Sequence, residues 1–397
     1  MSSRGTIAIL TGGGDVPGLN PAIRAVTIRA LREGYRVLGI RRGWRGLVDV
    51  VPDPAADNSM AVQELTSDVV KRAGRTGGTF LHSSRTRPSH LPIGFVPPHL
   101  TDTYQDEIND VTPSIIANLE FLGVDTVIPI GGDDTLSYGQ RLHTEGVKVI
   151  AIPKTMDNDV PGTDYCIGFS TCVTRTIELA HRLRTSAGSH ERILVIEVFG
   201  RYAGYSALVP AMAGASDRCV IPEHPFDPAH LTQLLVEDRD NNPSRYSVVI
   251  VSEGATMIGQ DDMVFKDEQT DQYGHKKLGG IGDRLSDRIR QLSPQFNNGR
   301  TINTVSQRLG YLVRSGDPDA LDSIVPMAFG NLALDLVQQG KSGLLVAVRN
   351  GVYEPVPIDL VVGASKVVDV EQFYATDRLR PKFTEFAGKP LFIMTSG

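Results

Sequence analysis

The chain is short of the features that mark several protein classes. It has three cysteines in 397 residues, Cys166, Cys172 and Cys219. An odd number without metal-ligand spacing gives no disulfide framework and no zinc site, and it suits free thiols in a reducing compartment. No apolar run approaches the roughly 20 residues of a membrane span, so no membrane partner is expected. The formal net charge of -6 argues against general nucleic-acid binding. The chain's start shows no succession of basic, apolar and small residues, and a cytoplasmic location is expected. Low-complexity linkers and internal repeats are absent. The single tryptophan, Trp44, and the histidines at 82, 90, 99 and 181 form no pattern that points to chemistry.

What is present is an ordinary globular composition, 41% hydrophobic and 22% charged, in a chain long enough for two lobes with separate cores. Short apolar runs recur at Thr6 to Leu10, Arg36 to Ile40, Thr126 to Ile130, Lys148 to Ile152, Ile193 to Val198, Arg218 to Ile221, Tyr246 to Val251 and Leu344 to Val348. Continuous Val, Ile and Leu runs of this length suit parallel strands buried on both faces. Between them, Thr112-Pro113, Asp227-Pro228 and Asp317-Pro318 each predict a helix N-cap followed by proline in the first turn. The pattern predicts an α/β, doubly wound fold with mostly parallel sheets and a lobe boundary near residue 155. The polar segment from Ile258 to Leu278 reads as a surface insertion or hairpin. Arginine makes up 30 of the 40 basic residues, which reflects either base composition or a use for guanidinium forks on phosphate oxygens.

Chemistry concentrates in three places. Pro153-Lys154-Thr155-Met156-Asp157-Asn158-Asp159 follows a strand and sets two carboxylates beside a lysine. In an extended segment Asp157 and Asp159 would project to one side, where one abstracts a proton and the other orients it or holds a metal. Thr11-Gly12-Gly13-Gly14-Asp15 closes the first strand, and Gly131-Gly132-Asp133-Asp134 closes another. Glycine turns at helix N-termini present unpaired N–H groups to anions. Gly12, Gly14 and Gly18 imitate a dinucleotide fingerprint only loosely. The second strand ends in Arg41-Arg42 where a dinucleotide site wants an acid. Phosphoryl transfer is the better reading, a dehydrogenase the weaker one.

These residues resemble the 6-phosphofructokinase family over nearly the full length, and within it the pyrophosphate-dependent enzymes. Besides the three motifs, the resemblance runs through Gly77 to Leu81 with Ser84-Arg85, Gly162 to Tyr165, Ile167 to Phe169, Ser189 to Arg192, Glu197 to Arg201, Pro222-Glu223, Ser252 to Gly254 and Gly310 to Arg314. It implies two α/β lobes with the active site in the cleft between them: a phosphoryl-donor lobe over 1–155, with about 310–397 packing back on it, and a sugar-phosphate lobe over 156–309. It implies Asp157 as general base for the C1 hydroxyl of fructose 6-phosphate, with Thr155, Asp159, Arg201 and Lys154 in support. Gly13, Gly14, Arg85, Gly132, Asp133, Asp134 and Lys154 would bind pyrophosphate, with Asp133 on a magnesium ion. Arg192, Phe199, Gly200, Glu253, Tyr311 and Arg314 would complete the sugar-phosphate site, Arg192 reaching it from a neighbouring subunit of a homodimer or homotetramer. Val305 stands where a further cross-subunit arginine is expected, and Arg300 or Arg308 is a substitute.

Two positions bear on the donor. The resemblance implies that ATP-dependent relatives typically have glycine at the positions of Asp134 and Lys154, which leaves room for a nucleotide's α-phosphate; lysine alone also occurs in some ATP users, so Asp134 is the stronger discriminator. A carboxylate at Asp134 repels that phosphate by on the order of 4 kcal/mol at 4 Å in an effective dielectric of 20. Lys154 adds a compact positive charge for pyrophosphate. The reading is therefore a reversible, magnesium-dependent phosphotransferase using pyrophosphate. The alternatives are an ATP-dependent phosphofructokinase and a non-catalytic sugar-phosphate-binding paralogue, the latter weakened by the presence of Asp157.

Overall fold

The computed structural model describes residues 4–259, 265–270, 276–364, 366–384 and 387, with 265–270 and 276–278 described by their backbone. Among these, two larger sheets are built from strands β1 (Thr6–Thr11), β2 (Arg36–Ile40), β3 (Val62–Glu64), β4 (Thr126–Gly131), β5 (Ile150–Pro153), β6 (Ile193–Val198), β7 (Arg218–Val220), β8 (Ser247–Ser252), β9 (Thr304–Arg308), β10 (Leu344–Arg349) and β11 (Val352–Pro357). The chain divides into two compact units. One comprises Met1–Thr155, Val160–Gly168 and Ser315–Ser365; the other comprises Met156–Asp159, Phe169–Arg314 and Lys366–Gly397.

The first unit holds a seven-stranded sheet in the order β11-β10-β5-β4-β1-β2-β3. Its five central strands run parallel, and β3 and β11 close the edges antiparallel. β1 and β4 are buried throughout, as continuous apolar runs require when helices cover both faces. The chain passes from β1 outward to β2 and later returns to β4 on the other side of β1. This reversal is the switch point at which open α/β sheets bind ligands, beyond the carboxyl ends of the strands. The two glycine turns are the residues that follow β1 and β4.

The second unit holds a four-stranded, wholly parallel sheet in the order β9-β6-β8-β7. The helix Phe169–Ser189 precedes β6, and the helix Ile281–Leu292 lies against β6 and β9. The carboxyl ends of β6, β8 and β9 lead into Arg201, Glu253 and Leu309. A hairpin of Phe265–Thr270 with Lys276–Leu278 realises part of the polar insertion; residues 260–264 and 271–275 of that segment lie outside the described residues. No helix among the described residues is long and apolar enough to cross a membrane.

All eight predicted strands form, with two shifted starts: the run from Lys148 enters the sheet as a strand only at Ile150, and the run from Tyr246 at Ser247. Two helix starts differ from expectation. Asp227 caps its helix by accepting from the Ala229 N–H at 2.9 Å, but Thr112 lies inside its helix because Asp110 accepts the Thr112 N–H in its place. The helix expected from Asp317 begins at Leu321, where Asp319 accepts from the Asp322 N–H. The turn after β1 does not lead directly into a helix either, since Gly18 caps the helix Leu19–Arg32 four residues beyond Gly14. The anion-site geometry expected at both turns therefore holds at Gly132, the N-cap of Asp133–Thr144.

Candidate active site

In the first unit one buried lysine ties the two glycine turns together. Lys154 is only 4% exposed, so it is not a solvated strand-end charge. Its backbone N–H donates to Gly131 O at 2.8 Å, and its ammonium donates to Gly14 O at 2.8 Å. The turn at Gly13 is held from the other side by the loop carrying Arg85: Ser83 Oγ donates to Gly13 O at 2.6 Å and the Gly13 N–H donates to Ser84 O at 2.9 Å. Asp133 and Asp134 occupy the exposed first turn of their helix, where its dipole favours negative charge. Arg87, also on that loop, donates from Nη2 to Asp134 Oδ1 at 2.6 Å. Both partners are about half exposed, so this pair contributes little stability. Its electrostatic consequence is larger, because a guanidinium against the Asp134 carboxylate offsets part of the repulsion that a bare carboxylate would exert on an incoming phosphate.

The second unit assembles carboxylates and guanidinium groups. Asn158 is buried and left-handed, with φ 56°, so the segment from Asp157 to Asp159 turns instead of extending. The alternation expected to put both carboxylates on one side does not apply to this backbone, yet Asp159 still acts on Asp157. Burial pushes the Asp157 carboxyl well above the ordinary carboxylate range, and the negative charges of Asp159 and Glu253 push it the same way while Arg201 and Arg314 oppose them. Glu253, 9% exposed, is pushed up to about 7 by burial, with Arg201 and Arg308 pulling it down and Glu197 pushing it up. Gly200, with φ 121°, and Gly254 allow the backbone crossing that aims Arg201: a Cβ on Gly254 would lie 1.9 Å from Arg201 O. The Phe199 and Tyr311 rings meet edge to face at 6.3 Å, and the Arg314 guanidinium lies 4.5 Å from the Tyr311 centroid. Phe199, Tyr311 and Arg314 thus form one wall of the site, not independent surface residues.

Arg192 is not part of this group. It precedes β6, whereas Arg201 follows it, so six strand residues at about 3.3 Å each separate the two ends. Arg308 proves to be engaged within its own chain, its Nε 3.2 Å from Glu197 Oε1. Glu197, 2% exposed, and its link to Arg308 were not identified from the sequence as a functional feature. A carboxylate inside an otherwise apolar strand, Ile193–Val198, was the available signal. Thr155 ends the first stretch of its unit and is half-buried.

The model of the family described as phosphofructokinase matches residues 6–337. The chain belongs to the phosphofructokinase family. A Streptomyces coelicolor pyrophosphate–fructose 6-phosphate 1-phosphotransferase is 40% identical over 91% of this chain and 96% of its own. An ATP-dependent 6-phosphofructokinase 3 of the same organism is 36% identical over 91% and 96%. Among solved structures, the pyrophosphate-dependent phosphofructokinase of Marinobacter aquaeolei has a TM-score of 0.70 at 18% identity, over 96% of this chain and 89% of that one. Pichia pastoris phosphofructokinase gives 0.71 at 24% identity over 91% of this chain and 36% of that one, so this phosphofructokinase spans about a third of the yeast chain. The structural likenesses carry the fold; family membership rests on the sequence. Relatives named for either donor lie at similar identity, so donor choice has to be argued from residues.

Proposed function

We propose that this phosphofructokinase moves a phosphoryl group reversibly between pyrophosphate and the C1 hydroxyl of fructose 6-phosphate, giving fructose 1,6-bisphosphate and phosphate. The observation that carries the donor assignment is the acid and base at the glycine turns. Lys154 is locked on Gly14 by a short hydrogen bond, and Asp134 occupies the first helical turn in an ion pair with Arg87. That pair sets two half-exposed side chains at the first turn of the helix that Gly132 caps. Because Arg87 offsets part of the carboxylate charge, bulk carries more of the exclusion of a nucleotide's α-phosphate than the repulsion of a bare carboxylate would suggest.

In this reading Gly13, Gly14, Gly132 and Arg85 bind the pyrophosphate oxygens, while Arg201 stabilises charge on the transferring group. Asp157 takes the C1 hydroxyl proton as the new P–O bond forms, and its raised proton affinity suits that task. Asp159 and Thr155 orient the reacting groups. Glu253 accepts from sugar hydroxyls, and Arg314, beside the Tyr311 and Phe199 rings, meets the 6-phosphate. No group of three or more metal-binding side chains stands among the described residues. One exposed carboxylate, Asp133, nevertheless fits magnesium, an ion held by one or two carboxylates together with phosphate oxygens and water. Bound there, the ion would neutralise phosphate charge. Arg192, at the far end of β6, is assigned to a neighbouring subunit's sugar site, which makes the enzyme a homodimer or homotetramer.

The second reading, ATP as donor, is favoured by the 36% identity to an ATP-dependent relative. Initial rates with each donor, fructose 6-phosphate and magnesium separate the two. Turnover with pyrophosphate and a rate with ATP near background supports the first, and the reverse pattern overturns it.

A further inference from the structure

Beneath Glu253 lies a chain of charges that begins on backbone amides. Glu197, inside β6, accepts from the Gly280 N–H at 3.0 Å and from the Gly282 N–H at 2.9 Å, at the start of the helix Ile281–Leu292, where the dipole favours an anion. The same carboxylate pairs with Arg308 on the neighbouring strand β9, Nε to Oε1 3.2 Å. Arg308 Nη2 in turn lies 3.9 Å from Glu253 Oε2 at the end of β8. Gly279 makes room for this guanidinium: with φ 135°, a Cβ there would stand 2.5 Å from Arg308 Cζ and both its Nη atoms.

We propose that Arg308 is a positioning residue for fructose 6-phosphate, holding the Glu253 carboxylate in place and ionised through an anchor on Glu197. The inference rests on Glu253 being a sugar ligand, the reading given above. An ionised carboxylate only accepts hydrogen bonds, so it suits two sugar hydroxyls; a protonated one loses half of that capacity. Burial works against ionisation at Glu253. The groups that face it are Arg201 and Arg308, which favour the charge, and Glu197 and Asp157, which oppose it. Arg201 is assigned to the transferring phosphoryl group, so in the bound complex its charge is shared. That leaves Arg308, which it shares with Glu197, as the second cation acting on Glu253. Because Glu197 keeps its two amide donors when Arg308 is changed, the fold should survive the loss of the guanidinium.

The test measures kcat and the fructose 6-phosphate KM for Arg308→Met, Arg308→Lys and Glu253→Gln, singly and as the Arg308→Met/Glu253→Gln pair, at pH 6.5 and 8, with folding checked by circular dichroism. Arg308→Met should raise KM on the order of tenfold while kcat changes little, as loss of a charge-assisted contact to a ground-state ligand does. The increase should be larger at pH 6.5 than at pH 8, and Arg308→Lys should recover part of it. In the Glu253→Gln background, Arg308→Met should add little. If Glu253→Gln raises KM but Arg308→Met does not, or if the two effects multiply independently, the positioning role is wrong while the sugar site stands. If Glu253→Gln leaves KM unchanged, the sugar-site reading falls and the inference with it.

Discussion

In the proposed reaction the two units take different halves of the phosphoryl transfer, by different means. The first uses backbone: two glycine turns at a sheet's switch point, joined by the single buried ammonium of Lys154, with its acids exposed on a helix's first turn. The second uses side chains: Asp157, Asp159, Glu253 and Glu197 interleaved with Arg201, Arg308 and Arg314 at the ends of parallel strands. Backbone amides suit an anion that has to be cradled and released. Opposed carboxylates and guanidinium groups suit a proton that has to be moved. On this comparison, damage to the first unit should change which donor is used, and damage to the second should change how fast any donor reacts.

The largest effect is expected in the second unit. Asp157→Asn should lower turnover by about a hundred- to ten-thousandfold in both directions, the usual cost of losing a general base, with fructose 6-phosphate binding retained. Turnover near wild type would remove Asp157 from the mechanism. In the first unit the expected changes are smaller and differ in kind. Lys154→Gly should reduce kcat/KM for pyrophosphate by about ten- to a hundredfold through lost charge and a released glycine turn, without admitting ATP. Asp134→Gly should instead let ATP bind measurably. Isothermal titration with ATP checks this, and no gain in a folded protein would place donor choice elsewhere.

A fourth change probes assembly. Arg192→Ala should raise the fructose 6-phosphate KM about tenfold, and mixing it with Asp157→Asn subunits should restore activity through hybrid sites. Absence of complementation, once subunit exchange is shown, would mean that each site is built from one chain. The last and smallest change is one of stability. A carboxyl held near 7 binds a proton in the folded state that the unfolded chain, near 4.5, has released. Glu253 therefore makes stability fall as pH rises through that window, by up to about 3 kcal/mol. Denaturant titrations should show Glu253→Gln gaining on wild type between pH 4 and pH 8; parallel curves would contradict the raised value.

The sheet strands were legible because each is an uninterrupted apolar run between turns, and the glycine turns because their composition has few other uses. Three strands were not: β3 is only three residues long, β9 (Thr304–Arg308) is mostly polar and only partly buried, and β11 is an edge strand carrying Glu354, Pro355 and Pro357. Helix starts failed where a neighbouring acid took the capping role, Asp110 for Thr112 and Asp319 for Asp317. Sequence spacing also missed the turn between Asp157 and Asp159, because nothing in it announced that Asn158 would be left-handed. The pairings of Asp134 with Arg87 and of Glu197 with Arg308 join residues 47 and 111 positions apart, and no local pattern encodes them.

The donor assignment is tested most directly by running the reaction backwards without any nucleotide. Fructose 1,6-bisphosphate, inorganic phosphate and magnesium are incubated with the enzyme, and pyrophosphate and fructose 6-phosphate are followed by phosphorus NMR. Both should form in equal amounts, at a rate well above that of the Asp157→Asn variant. Formation of neither, in a preparation that makes ATP from fructose 1,6-bisphosphate and ADP, would contradict it.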